Sequence, residues 1–420
     1  MDLKKKMLID KKDIIIKIKN NKGYIYNKFN KKYIILNAEI INYLIDGSKS
    51  NITFLEFINA FQDDDKGYII NLLEILIGMD LFKEKDIENK KVIKSIHIAL
   101  TYKCNLECKH CCIECSPRKE TNLFLEDWKN IINKISDLKP EQLVFSGGEP
   151  LILDYFEELV KYSYKKLPET NFILSTNGTL IDKYDINFFK NYFNKIDISL
   201  DGYNKETADR VRGIGIFDKV MENIKLLKKE SFNNINLSLT QGDLNIENRE
   251  KFKLLCDRLG VTNTIRTFSP EGRGKDNSDL FLSKDKALPL SIIQMFEQAS
   301  SMCTQNEKGN LSAVACDAGE SQIFIDDRAN VYPCPSLSMY KFKITNMQNE
   351  KCIDEVLAFK GGYNLYESMI NKNESCKNCD LNIFCWYCPA NFETAYNNNE
   401  LEYWCDNTKE NLDKIIWNEV

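Results

Sequence analysis

The stretch "TYKCNLECKHCCIECSP", residues 101–117, carries five cysteines. Thiols this crowded suit metal coordination. Two registers share the spacing C-x3-C-x2-C: Cys104, Cys108 and Cys111, or Cys108, Cys112 and Cys115. A [4Fe-4S] cluster normally takes four thiolates, so a trio leaves one iron with an open position at which a substrate can bind. A zinc knuckle built from four of the five thiols is the competing arrangement. A second concentration lies in "CKNCDLNIFCWYC", where Cys376, Cys379, Cys385 and Cys388 read C-x2-C-x5-C-x2-C. Paired C-x2-C motifs suit zinc as well as iron. With only two histidines, His97 and His110, Cys2His2 zinc sites are nearly excluded and thiolate-only sites fit better. A third candidate is "SGGEP", Ser146–Pro150, where paired glycines at a strand end let backbone approach a ligand closely.

The elements that position these groups fall into three stretches. From residue 96, apolar alternation marks strands at Ile96–Thr101, Gln142–Phe145, Asn171–Thr176, Lys195–Leu200, Ile235–Thr240 and Thr264–Phe268. Amphipathic helices lie between them, such as "LEDWKNIINKISDL" and "YFEELVKYSY". Six βα repeats imply an α/β domain with a parallel sheet, and a stretch too short for eight repeats implies an open, partial (β/α)6 TIM-type barrel. Chemistry in such folds sits at the C-terminal ends of the strands, where both the cysteine stretch and SGGEP fall. Before it, "DIIIKIKN", "GYIYNKF" and "KKYIILN" read as strands. "NAEIINYLIDG", with an Asn start and a Gly stop, "TFLEFINAFQ" and "GYIINLLEILIGMDLF" read as helices, giving a winged-helix-like α+β module. After residue 300 periodicity thins and cysteines return, as in a region organised by metal. The expected division is 1–88, a linker at 89–95, 96–300 and 301–420.

A chain of 420 residues suits two or three domains. A net charge of −5 argues against a nucleic-acid binder. The early lysines in "KKKMLIDKKDIIIKIKNNK" suit a solvated strand edge, or an attraction for an acidic peptide. No stretch is long and apolar enough to span a membrane, and no secretory signal is visible. Fifteen cysteines without an export signal point to a cytoplasmic, metal-holding protein rather than a disulfide framework. Cys256, on a helix, reads as a core thiol.

"CNLECKHC" and "SGGEP", at the ends of the first two strands, resemble the radical S-adenosylmethionine (radical SAM) enzymes. The resemblance implies that Cys104, Cys108 and Cys111 hold a [4Fe-4S] cluster whose open iron chelates S-adenosylmethionine (SAM). It places Ser146, Gly147, Gly148 and Glu149 at the methionine amino end. "STNG" puts Ser175, Thr176 and Asn177 near the ribose, and "SLDG" puts Ser199 and Asp201 at the same ligand. "ADRVRGIGIF" makes Arg212 the partner of the carboxylate, which suits the guanidinium fork. On this register His110 supports the site from behind, Cys112 packs over the cluster, and Cys115 has no assigned work.

The C-terminal cysteines resemble the SPASM extension of radical SAM enzymes. That resemblance implies two auxiliary [4Fe-4S] clusters, for three in all. Cys376, Cys379, Cys385 and Cys405 would hold one, and Cys316, Cys334 and Cys388 the other. Its fourth position is open or filled by Cys303 or Cys352, and an open iron could hold a peptide thiolate. The family usually has glycine where "DDRANVYPC" has Ala329. Residues 1–88 resemble the leader-recognition domain of the pyrroloquinoline-quinone chaperone type, which binds a leader peptide by strand addition beside its third strand. Together these imply a peptide maturase of the thioether-forming, sactipeptide or ranthipeptide kind. Its partners would be a precursor peptide and an electron donor such as flavodoxin or ferredoxin, with no nucleic acid and no membrane. Other radical peptide modifications remain open: a carbon–carbon crosslink, epimerisation, or formylglycine formation on a sulfatase. So does a zinc or iron–sulfur protein without SAM chemistry.

Overall fold

The computed structural model describes residues 1–9, 12–82, 91–242, 244–245, 247–282, 313–385 and 388–417. The chain divides into two compact units. One draws on residues 1–90, 299–316 and 363–420, the other on 91–298 and 317–362.

The second unit is an α/β body around a mostly parallel sheet. Strands β4 (Ser95–Ala99), β5 (Gln142–Ser146), β6 (Asn171–Thr176), β7 (Lys195–Ser199), β8 (Ile235–Gln241) and β9 (Thr262–Thr267) lie side by side in chain order, all parallel. Their alternation decides the two faces. Ile96, Ile98, Leu143, Phe145, Phe172, Leu174, Ile196, Ile198, Leu237 and Leu239 are buried in one apolar core. Helix α4 (Leu125–Leu138) packs Trp128, Ile131, Ile132 and Ile135 into that core, and helix α5 (Phe156–Lys166) adds Phe156, Leu159 and Val160. The intervening strand positions are mostly polar: Ser146, Ser175, Asp197, Ser199, Asn236, Ser238 and Thr264. A sheet with helices on one face and polar groups on the other is built to hold something at the second face. The expected strands match those formed to within two residues at each end.

After residue 300 the sequence shows no strand pattern, yet three short strands extend the sheet. β10 (Gln322–Ile325) runs parallel beside β4, with Gln322 opposite Ser95, and β11 (Asn330–Tyr332) and β12 (Thr345–Asn346) follow antiparallel. Segments of two to four residues are too short to display a period. The β10–β11 turn places Ala329 at φ 64°, the left-handed region that favours glycine, which is the physical reason for a glycine at this position.

In the first unit, β1 (Ile14–Lys19), β2 (Lys22–Asn27) and β3 (Tyr33–Asn37) form an antiparallel meander. Helices α1 (Ala38–Lys49), α2 (Phe54–Asn59) and α3 (Asp63–Gly78) follow and share a core with it. Asn37 caps α1, its side chain accepting from the Glu39 N–H at 2.8 Å. Gly47 does not end α1 as expected. The helix continues past it to Lys49, and Gly47 is buried where an added Cβ would lie 3.0 Å from the Phe57 ring. Tyr24 of β2 is fully buried, donates to the Asp380 carbonyl at 3.0 Å and meets the rings of Phe384 and Trp417. Tyr26 donates to the Val314 carbonyl at 2.7 Å. The first strands and the C-terminal cysteine region therefore share one body. Of the stretch expected as a linker, 89–95, residues 89–90 lie outside the described residues, 91–94 have no regular structure and Ser95 already opens β4.

Candidate functional site

The cysteine loop leaves the C-terminal end of β4 and is closed at its base, where the Cys104 N–H donates to the Ser116 carbonyl at 3.1 Å. Cys104, Cys108 and Cys115 are buried, Cys111 is half-buried and Cys112 exposed. Donors converge on three of the sulfurs. The Leu106 N–H (3.4 Å) and Asn177 Nδ2 (3.7 Å) face Cys104, Arg212 Nη1 (3.8 Å) faces Cys108, and the Cys115 N–H (3.3 Å) faces Cys111. Such donors stabilise thiolate sulfur. Burial pushes the Cys104 thiol up to about 12, while hydrogen bonding from the Cys115 thiol and from backbone brings Cys111 down to about 5. Cys115, without assigned work in the sequence, thus bonds to a member of the first trio.

SGGEP meets this loop directly. The Gly148 N–H donates to the Thr101 carbonyl at 2.7 Å and the Glu149 N–H to the Lys103 carbonyl at 3.1 Å. Gly147 stands at φ 137°, and an added Cβ would lie 2.4 Å from the Thr101 oxygen; at Gly148 it would lie 2.4 Å from the Lys103 oxygen. The glycines are needed because two strand-end loops touch backbone to backbone, a closer requirement than the approach of a ligand. Ser146 donates to the Ile98 carbonyl at 3.2 Å.

Glu149 is fully buried. Its carboxylate accepts from Thr176 Oγ1 (2.8 and 2.9 Å), the Asn177 N–H (2.8 Å) and the Leu151 N–H (3.1 Å). Burial outweighs these donors and pushes its pKa up to about 7. Asn177 in turn donates to Asn105 Oδ1 at 2.8 Å and accepts from Thr179. Glu149 and Asn177 thereby join the ends of β5 and β6 to the cysteine loop. Ser175 is half-buried opposite Asp197, and Ser199 Oγ lies 3.4 Å from Ser238 Oγ.

Asp201 and Arg212, expected to face a ligand separately, are each other's partners. Arg212 Nε and Nη2 lie 2.7 and 2.5 Å from Asp201 Oδ2, and both side chains are buried. Asp201 also accepts from His110 Nε2 (3.1 Å) and the Thr240 N–H (2.5 Å). Burial pushes its carboxyl up, but the Arg212 charge and the donors around it win and hold it well below the usual carboxylate range. The guanidinium is left with Nη1, which faces the Cys108 sulfur. His110 is accordingly a support of this pair, with its Nδ1 buried and unpartnered.

Among the described residues no three Cys, His, Asp or Glu side chains close around a single metal ion. A four-iron cluster binds one thiolate at each iron and spreads its ligands more widely. The donor set suits it: three thiols on one loop, each already facing a hydrogen-bond donor. In the first unit Cys376, Cys379, Cys385 and Cys405 are electrostatic neighbours; burial and this crowding push Cys376 up to about 11 and Cys385 beyond the ordinary thiol range. The Leu381 N–H donates to the Cys379 sulfur at 3.4 Å. Cys388 precedes the helix Pro389–Asn397 in the first unit, which also holds Cys316, whereas Cys334 follows β11 in the second. Cys352 is buried in the apolar core of the second unit, its thiol toward the Met347 carbonyl. Cys303 lies outside the described residues. Cys256 is a core thiol, as expected. Sequence reasoning missed Thr176 as the hydroxyl that holds Glu149; its place beside the Asn of "STNG" was the available signal.

Residues 98–256 match the profile of the Radical SAM superfamily. That stretch is similar to a radical SAM domain. Radical SAM enzymes bind a [4Fe-4S] cluster and S-adenosylmethionine. The chain is 29% identical over 263 residues to the mycofactocin maturase MftC of Mycolicibacterium smegmatis, covering 60% of this chain and 66% of that protein. The chain thus spans just under two thirds of that relative. It is 35% identical over 131 residues to the antilisterial bacteriocin subtilosin biosynthesis protein AlbA of Bacillus subtilis, 30% of this chain and 29% of that protein. Its fold is similar to Streptococcus suis SuiB bound to S-adenosylmethionine, with a TM-score of 0.55 at 15% identity over 91% of this chain and 96% of the other. Among the described residues no helix is long and apolar enough to cross a membrane.

Proposed function

We propose that this chain is a radical SAM maturase of a ribosomally made precursor peptide, joining a peptide cysteine sulfur to carbon as a thioether. The observation that carries the reading is the loop at the end of β4, with donors facing the sulfurs of Cys104, Cys108 and Cys111 and SGGEP packed against its base. These three thiols would hold a [4Fe-4S] cluster, leaving its fourth iron for SAM. When bound, the pair supplies a 5′-deoxyadenosyl radical that takes hydrogen from an unactivated carbon. The chain's own residues bind and orient. Backbone of Ser146–Glu149 and the side chains of Ser175, Asn177 and Ser199 line the SAM site. Asp201 fixes Arg212, whose charge lies beside the Cys108 sulfur.

The remaining cysteines supply the thioether part of the proposal. Cys376, Cys379, Cys385 and Cys405 would hold one auxiliary cluster, and Cys316, Cys334 and Cys388 another with a position for the peptide thiolate, as in a SPASM region. The overall change would remove a hydrogen pair from the peptide, one hydrogen from carbon and the proton of the thiol, and the electron left over would need an acceptor, a role that a cluster held by these cysteines would supply. An external flavodoxin or ferredoxin supplies the reducing electron for SAM cleavage. The leader adds as a strand to β3, an edge of its sheet. The similarity to a bacteriocin biosynthesis protein supports this substrate class. Nothing in the reading requires nucleic acid or a membrane, and the expected location is the cytoplasm.

The test is anaerobic incubation of the reconstituted protein with SAM, dithionite and a cysteine-containing precursor peptide, sought as a short cysteine-rich reading frame in the gene neighbourhood. The expected result is 5′-deoxyadenosine release with loss of a hydrogen pair per crosslink and a peptide cysteine that resists alkylation. Cys104→Ala abolishes the release; Cys115→Ala retains it. The longer match to mycofactocin maturases favours a second reading, another radical peptide modification. A modified peptide whose thiols all still alkylate would select that reading. Absence of 5′-deoxyadenosine with the cognate peptide would overturn both.

A further inference from the structure

The segment "FSPEGRGK" that follows β9 has no role in the reading above, yet it covers the cysteine loop. Arg273 reaches across to it with three hydrogen bonds. Its N–H donates to the Cys111 carbonyl at 3.1 Å, its Nε to the Cys108 carbonyl at 3.1 Å and its Nη2 to the Cys115 carbonyl at 2.5 Å. Within the loop, the backbone bonds nearby are single turns, Cys111 N–H to Cys108 and Glu114 N–H to Cys111. A planar, permanently charged fork can hold two carbonyls at a fixed separation, which the single ammonium of lysine does not reproduce.

The backbone on either side is shaped for this approach. Gly272 stands at φ 52° and ψ −135°, a region essentially reserved for glycine. An added Cβ there would lie 2.6 Å from the Cys112 oxygen and 2.7 Å from the Cys111 oxygen. Gly274 is buried, with an added Cβ 2.9 Å from the Ser269 oxygen and 3.4 Å from the His110 oxygen. The strained glycine brings Arg273 onto the loop, and the arginine spans the carbonyls of two cysteines that lie far from it in sequence.

We propose that Arg273 is a positioning residue that presets the cysteine loop, holding Cys108 and Cys111 in the arrangement that receives the cluster. It touches neither the cluster sulfurs nor SAM in this role; it acts through the carbonyls of the residues that carry the thiols. The part of the claim that concerns cluster retention rests on Cys104, Cys108 and Cys111 being the ligands; the part that concerns the loop does not.

The experiment compares the full-length wild type with Arg273→Gln, Arg273→Lys and Arg118→Gln. Arg118 is the control, a largely exposed arginine on the same loop that pairs with Glu107 at 2.7 Å. Amide hydrogen exchange of peptides covering residues 104–116 is measured in the apo-protein and after anaerobic reconstitution. Arg273→Gln removes two guanidinium hydrogen bonds and should raise loop exchange by about tenfold for each, up to about a hundredfold together. Arg273→Lys should recover only part of it, and Arg118→Gln none. Iron release to a chelator from the SAM-responsive cluster should quicken in the same order. Melting temperature reports whether a variant has simply lost its fold, in which case the Lys variant decides. Unchanged exchange in the apo-protein of Arg273→Gln, or full recovery by lysine, overturns the proposal. A wild type that binds no SAM-responsive cluster would instead sink the functional reading, while the apo exchange result would still stand.

Discussion

Glu149→Gln tests how the site is held before any ligand arrives. The Glu149 carboxyl is fully buried and its pKa rises from the ordinary 4.5 to about 7. That displacement corresponds to about 3 kcal/mol between the two protonation states. Because the folded pKa lies above the unfolded one, the contribution to stability is fully present below pH 4.5 and is lost as pH rises through 7. Glutamine carries an NH2 in place of one oxygen; Thr176 Oγ1, within 2.9 Å of both oxygens, can accept from it, but the nitrogen also faces the Leu151 or the Asn177 N–H, a cost that is the same at every pH. The prediction is therefore the change of the stability difference with pH and not its value at pH 5. Between pH 5 and pH 8 the difference should move toward the glutamine variant by about 2–3 kcal/mol, the ionisation cost it no longer bears. The assay is urea unfolding of both apo-proteins, anaerobic and with thiols reduced, at half-unit steps from pH 5 to 8. Taking the difference between the proteins cancels every other titration, including those of the cysteines. A difference that stays flat across the range, or that favours wild type more as pH rises, refutes the argument. In that case the Thr176, Asn177 and Leu151 donors outweigh burial.

Other outcomes follow from particular contacts. Asp201→Asn leaves the buried Arg212 charge uncompensated and should cost about 3–5 kcal/mol in urea unfolding. On the proposed function, the same variant should also perturb the electron paramagnetic signal of the cluster assigned to Cys104, Cys108 and Cys111, since Arg212 faces the Cys108 sulfur. Gly147→Ala combines a positive φ with a Cβ 2.4 Å from the Thr101 oxygen, so it should lower stability by about 3 kcal/mol or more and loosen the cysteine loop in hydrogen exchange. Tyr24→Ala empties a buried site between Phe384 and Trp417 and should cost about 3 kcal/mol; on the proposed function, the auxiliary cluster assigned to Cys376, Cys379, Cys385 and Cys405 should also become more chelator-labile, although the substitution lies in the first strands.

The order of strands and helices in the α/β body was legible because each element is long enough to display its period. Ile96 and Ile98, Phe172 and Leu174, and Ile196 and Ile198 alternate into the core, and Trp128, Ile131, Ile132 and Ile135 recur at helical spacing. The location of the cysteine loop and SGGEP at strand ends followed from the same periodicity. β10, β11 and β12 were not legible: strands of two to four residues have no period, and they are stabilised by docking on β4, which a local pattern does not encode. The continuation of α1 through Gly47 was missed for a related reason, since burial against Phe57 is a tertiary contact.

By itself, then, the sequence determined which residue types could do chemistry and on which loops they stand, because thiol spacing, glycine pairs and apolar period are local properties. Only the tertiary structure decided the partners. Asp201 turned out to hold Arg212, Glu149 to be enclosed by Thr176, Asn177 and Leu151, and Arg273 to bridge Cys108 and Cys115. Apart from the local Leu151 N–H, each of these pairs joins groups distant in sequence, and a buried charge or carbonyl takes whichever donor the packed chain brings within reach.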